Sequence, residues 1–195
     1  MTAHAPALQS EFAVVGLPDA DENLLKEKSK DVFATYATGR QNVAFVDIKL
    51  NLLKRFNPIA WFGDAALGFF FDSWPTPSER AEITAYSFDG KEGQIVPRAK
   101  GDDVERKTRD SIYDGFVWAI VHKDSMKKLR DERYDLSLTT TKDHAKLPQW
   151  ATVMSESAEI TDTLLTADLV KAVESCGEEL EALIVTDMPV DAPKT

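Results

Sequence analysis

Residues 115–123, GFVWAIVHK, limit what this chain can fold into more than any other stretch. A strand places alternate side chains on opposite faces. Phe116, Trp118 and Ile120 therefore share one side, and Val117, Ala119 and Val121 the other. Both sides are apolar, so such a strand has to be central in its sheet or covered on both faces. The rest of the chain must supply the strands and helices that enclose it.

Other segments can do this. NVAFVDIKLNLL (42–53) alternates, with Val46, Ile48, Leu50 and Leu52 pointing one way and Asp47, Lys49 and Asn51 the other. AEITAYSFDG (81–90) reads as a strand ending in an Asp-Gly turn. FAVVG (12–16), WATVMSES (150–157) and EALIVTD (181–187) read as further strands. A helix end is predicted within 1–12. A full helix is predicted over 24–39, with Leu25, Val32, Phe33 and Tyr36 near one face and Gly39 in the C′ position. Another runs over 58–71, opened by Asn57-Pro58 and stopped by SWPTP. Two more cover 125–137 and 161–176, the second with Leu165, Leu169, Val173 and Cys176 on one face and Gly177 as its stop. Residues 91–110 read as a polar connection, partly helical after Asp103, and 138–148 (LTTTKDHAKLP) as a polar loop. The order predicts one α+β domain over 1–195. It is a two-layer sandwich, a mixed sheet with helices mainly on one face, in a split β-α-β-like order.

VHKDSMKKLRDERYD (121–135) invites two chemical readings. His122, Asp124 and Ser125 suggest a nucleophile, but a triad needs members that converge in space, not three residues crowded in one turn. They fit a strand end followed by a helix cap, with Asp124 as N-cap and Ser125 at N1. Lys123, Lys127, Lys128, Arg130 and Arg133 suggest contact with RNA phosphates or an acidic partner. Their mixed surroundings, with Lys127–Asp131 and Lys128–Glu132 spaced for ion pairs, equally suit a solvated helix face. The three histidines are far apart, Cys176 has no partner in a C-x-x-C, and no phosphate-cradling glycine motif occurs. Neither a metal, a cofactor nor a catalytic residue is expected.

The helix at 58–71 is anomalous. Trp61, Phe62, Phe70, Phe71 and their apolar neighbours, with Trp74 just beyond, cannot all face one sheet. At about 21 Å it is short of a bilayer core of about 30 Å. It is either sandwiched within the domain or presents an apolar patch to a partner or membrane.

Charge excludes one class. With a formal net charge of −10 the chain as a whole is not an electrostatic binder of nucleic acid. Residues 147–195 hold ten acidic residues against two basic ones. A single cysteine suits a reducing compartment. With neither an apolar leader nor a membrane-spanning run, the expectation is a soluble piece.

Several segments, in order, carry a resemblance. They are Thr2, His4, Leu8, Phe12, Val15 and Gly16 at the entry, then Gly39-Arg40, then KLNLLKRFNPIAWF. FVWAIVHKDSMKKLRDERYDLS, LPQWATVMSESAEITDTLL and LIVTD follow, with SESAEITD the most characteristic run. Together they resemble the coiled-coil-domain-containing protein 47 (calumin) family, and a fungal member in particular, with 89–112 as an insertion. The resemblance implies the cytosolic globular domain of a single-pass endoplasmic reticulum protein. A membrane helix would precede it, and a further strand and a basic coiled coil would follow. It implies a non-enzymatic scaffold in the PAT complex, beside an Asterix-type membrane subunit, the Sec translocon and ribosomal RNA, assisting insertion of multipass membrane proteins. The family is also linked to calcium homeostasis through an acidic luminal segment outside this chain. A small hydrolase or ligand-binding domain is the rival from another class and requires a deep polar pocket.

Overall fold

The computed structural model describes residues 5–16, 24–71, 78–88 and 115–191. The backbone divides into two compact units, Met1–Asp103 and Val104–Thr195. The predicted polar connection at 91–110 and the insertion at 89–112 lie outside the described residues.

In the first unit, helix α1 (Ala5–Glu11) leads into β1 (Val14–Val15), β2 (Lys26–Ser29), β3 (Val32–Thr38) and β4 (Val43–Asn51). Helix α2 (Pro58–Phe70) and β5 (Arg80–Ser87) follow. The sheet runs β1-β3-β4-β5, β2 also pairs with β3, and every pairing is antiparallel. The helix predicted over 24–39 is therefore a hairpin. Its apolar spacing fits a helix, but VFATYAT is rich in β-branched and aromatic residues that favour extended backbone. Pairing from Val32↔Asn51 to Ala37↔Val46 satisfies that backbone against β4. Ala37, Val46 and Ile48 form a buried cluster, with Leu8 and Phe12 from the α1 segment packed against it.

Gly39 is not a helix cap but the first residue of the β3–β4 turn, at φ +91°. A β-carbon there would lie 2.6 Å from the Ala13 β-carbon. Its neighbour Arg40 pairs with Glu11 at 2.8 Å and lies over the Phe12 ring. The Gly39-Arg40 pair thus ties α1 to the sheet.

In the second unit, β6 (Val117–His122) is followed by α3 (Met126–Glu132), α4 (Tyr134–Ser137), β7 (Thr140–Lys142) and β8 (Ala151–Ser155). Then come α5 (Ala158–Leu164), α6 (Ala167–Cys176), a 3₁₀ turn (Gly177–Glu179) and β9 (Ala182–Thr186). The order is β7-β8-β6-β9, all antiparallel. Strands β8 and β9 therefore run in the same direction with β6 between them, joined by α5 and α6, which is a split β-α-β unit. The α+β class is the one expected. Two antiparallel sheets replace the single mixed sheet, and here helices cover both faces. Trp118, Ile120 and Val153 pack with Ile160, Leu165 and Val173 on one side. Val117, Ala119, Val121 and Met154 pack with Leu129 and Leu136 on the other.

Two predicted helices are broken. The segment 125–137 divides at Arg133, which is extended at φ −125° and ψ 119°. Residues two apart do not face each other on a helix. The break lets Arg133 grip Asp135, its Nε donating to Oδ1 at 3.1 Å and its Nη2 to Oδ2 at 2.7 Å. The segment 161–176 divides at Leu165, which is buried, and Thr166 caps α6 by accepting from the Leu169 N–H at 3.3 Å. Cys176, expected on the apolar face, is exposed, whereas Gly177 ends α6 at φ +66° as expected. The expected loop at 138–148 contains β7, whose threonines pair with the end of β8.

Replacing Gly39 with alanine should destabilise the first unit by more than about 1 kcal/mol, because both the positive φ and the Ala13 contact oppose a side chain. Chemical denaturation of the Gly39→Ala chain checks this, and an unchanged midpoint would contradict it.

Candidate functional site

His122 closes β6, and its ring stacks on Trp150 with centroids 5.5 Å apart. Its Nδ1 accepts the Asp124 backbone N–H at 3.2 Å. Ser125 donates its own backbone N–H to the His122 carbonyl at 3.1 Å. Contrary to expectation the N-cap of α3 is Ser125, not Asp124, and it makes no side-chain cap bond. The three residues build a strand-to-helix turn.

The five basic residues of this segment are mostly committed to the fold. Lys123 Nζ pairs with Asp143 at 3.1 Å. A hydrogen bond from that ammonium, first among its causes, holds the Asp143 carboxyl below its ordinary value of 3.8. Arg130 Nη2 donates to the Thr139 carbonyl at 3.2 Å and to Thr141 Oγ1 at 3.0 Å, tying α3 to β7. The expected Lys128–Glu132 pair forms at 3.9 Å. Arg133 is half-buried against Asp135, whose side chain is fully buried. The Asp135 carboxylate also accepts the Leu136 N–H at 2.9 Å. The expected Lys127–Asp131 pair does not form, and Lys127 has no polar partner among the described residues. The sequence does not distinguish the five cations; among the described residues the structure leaves Lys127 without a polar partner.

A cavity of about 230 Å³ lies beside β7, β8 and α5, lined by Thr140, Lys142, His144, Ser155, Ser157 and Thr161 among others. Its hydroxyls donate to backbone carbonyls: Thr140 to Ser155 at 2.8 Å, Ser155 to Ser157 at 3.0 Å and Thr161 to Ser157 at 3.2 Å. The loop reading of 138–148 hid this cavity, since a loop gives no wall. Among the described residues, no group of three or more His, Cys, Asp or Glu is placed to hold a metal ion.

The second surface is α2. The helix is not sandwiched: Ile59 is 87% exposed, Phe62 69%, Phe69 85% and Phe70 75%. Trp61 and Leu67 are also exposed, though less so, as is Phe71 just after the helix. Trp74 lies outside the described residues. Asp64, on the side opposite Ile59, Phe62, Phe69 and Phe70, pairs with Lys54 at 3.0 Å. A hydrogen bond to Asp64 raises the Lys54 ammonium above its ordinary value. Among the described residues, no helix is long and apolar enough to cross a membrane.

Comparison with known proteins covers the whole chain. The family model described as "PAT complex subunit CCDC47" matches residues 1–195. UPF0674 endoplasmic reticulum membrane protein C2G5.01 of Schizosaccharomyces pombe is 29% identical over 194 residues, covering 97% of this chain and 46% of the relative. UPF0674 endoplasmic reticulum membrane protein YNR021W of Saccharomyces cerevisiae is 27% identical over 191 residues, covering 94% and 45%. The chain thus spans about half the length of the relatives it matches.

Two outcomes follow from the committed cations. Arg133→Ala strands a buried carboxylate and should destabilise the second unit by roughly 3 kcal/mol. Lys127→Ala should change stability by no more than about 0.5 kcal/mol. Equal denaturation midpoints for the two variants would refute this division of roles. In an NMR titration the Asp143 carboxyl should protonate below its ordinary range, and Lys123→Met should move its midpoint up. The sign follows from linkage: the pair favours the folded state above the unfolded carboxyl pKa, and that contribution is lost as pH falls through the depressed folded value.

Proposed function

The chain belongs to the CCDC47 family, and we propose that it is a non-catalytic scaffold domain of an endoplasmic reticulum membrane protein. On this reading it faces the cytosol and acts in a PAT complex at the ribosome-bound Sec translocon, where it assists insertion of multipass membrane proteins. The observation that carries the reading is the family match over residues 1–195. The relatives' names, endoplasmic reticulum membrane proteins, agree with the compartment.

The surfaces are consistent with a scaffold. The His122–Asp124–Ser125 turn is spent on local geometry, and the cavity hydroxyls of Thr140, Ser155 and Thr161 donate to carbonyls. What remains at the surface is recognition chemistry. Lys127 on α3 is exposed and has no polar partner among the described residues, which suits an RNA phosphate, and the most exposed side of α2 is apolar. Arg133 is less suited to an RNA contact, because Asp135 already takes the Nε and Nη2 edge of its guanidinium.

Crosslinking in microsomes tests the reading, using the full-length protein from which this chain comes. Ribosomal proteins, Sec subunits and an Asterix-type subunit should be captured by the intact protein and lost when residues 1–195 are deleted. Capture that is the same with and without these residues would sink the scaffold role. In ribosome co-sedimentation, Lys127→Glu should weaken binding more than Lys128→Glu, and added salt should weaken both.

A further inference from the structure

Successive residues of an α-helix are separated by about 100° around its axis. On that wheel the four most exposed large side chains of α2, Ile59, Phe62, Phe69 and Phe70, fall within one arc of about 100°. Asp64 lies diametrically opposite, held by Lys54. The helix therefore has a back, anchored by an ion pair, and a front made only of apolar groups. Leu52 and Phe56 before the helix, and Phe71 just after it, are also exposed.

The β2–β3 turn, which carries three lysines, lies near the helix base. The Leu52 N–H donates to the Asp31 carbonyl at 2.8 Å, which sets the β2–β3 turn beside the segment entering α2. Lys30 of that turn lies with its Nζ 5.6 Å from the centre of the Phe56 ring. Lys26 and Lys28 in β2 are exposed and have no ion-pair partner among the described residues. Glu27 and Asp31 lie among these three lysines, so the turn carries a small positive excess.

We propose that α2 is a membrane-surface helix. It lies along the boundary between the headgroups and acyl chains of a phospholipid bilayer, with Ile59, Phe62, Phe69 and Phe70 immersed and the lysines of the β2–β3 turn against anionic headgroups. The apolar front, from Ile59 to Phe70, is about 17 Å long, so it suits lying in a bilayer surface and not spanning about 30 Å of hydrocarbon. The front carries no polar group that would fix the register of a protein partner. The charge of the adjacent turn complements a lipid surface, and the relatives are membrane proteins of the endoplasmic reticulum. The proposal names a lipid surface, and it stands or falls apart from the scaffold reading.

Vesicle flotation of the 195-residue chain tests it. The chain should float with phosphatidylcholine vesicles, and more fully when phosphatidylinositol is included. Joint Phe62→Ser, Phe69→Ser and Phe70→Ser substitution should lower the bound fraction about tenfold or more, with an unchanged circular dichroism spectrum. Phe69→Glu alone, at an exposed position that leaves the core untouched, should lower it in the same direction. Lys28→Ala with Lys30→Ala should remove only the gain from the anionic lipid. No flotation with either vesicle overturns the proposal, as does a serine variant that floats as well as the parent. Concentration-dependent dimerisation that the serine variant abolishes, without flotation, assigns the face to a second copy and also overturns it. Flotation of the parent chain together with translocon capture that is unchanged when residues 1–195 are deleted would instead count against the scaffold reading alone.

Discussion

The second unit depends on one strand. From Val117 to Val121 every side chain of β6 is fully removed from water. Neighbours on both edges take its backbone hydrogen bonds, β8 on one side and β9 on the other. Full burial of a Val or Ile side chain contributes roughly 1.5–3 kcal/mol, so leaving either face open would forfeit several such terms. That is why α3 and α4 close one face while α5 and α6 close the other. Among the described residues the buried Trp118 indole N–H has no acceptor, a desolvation cost of about 1–3 kcal/mol that the surrounding packing outweighs.

A second constraint shapes the surface. Asp135 is wholly buried, and a buried carboxylate is tolerable only with a well-placed cation. Arg133 supplies it, and doing so breaks the helix in two. The same economy governs the neighbouring cations: Lys123 fastens Asp143, and Arg130 fastens β7. A segment that reads as a basic binding helix is largely a set of structural ties, with Lys127 the exception. Its role in the proposed ribosome contact is correspondingly narrow.

The first unit presents the opposite situation. Its sheet core is closed from the α1 side by Leu8 and Phe12, yet α2 leaves six large apolar side chains exposed, four of them on one arc. Surfaces of that kind on soluble domains mark interaction sites. Family membership supplies a membrane context, and the arc on α2 supplies a geometry for meeting it.

The sequence by itself determined much of the architecture. Alternation located β4, two apolar faces marked β6 as an enclosed strand, and β5, β8 and β9 also read as strands. Asn57-Pro58 and Gly177 marked helix ends through backbone rules that do not depend on context. The segments quoted for their resemblance identified the family. Tertiary structure alone decided the rest. Residues 24–39 satisfy a helical spacing and a strand spacing at once, and only the partner β4 selects the strand. The helices over 125–137 and 161–176 break where a buried Asp135 and a buried Leu165 need a turn the local pattern does not request. A side chain's charge is written in the sequence, but its availability is not. Whether Lys127 or Arg133 is free, and whether α2 is sandwiched or bare, depends on which residues the folded chain brings alongside.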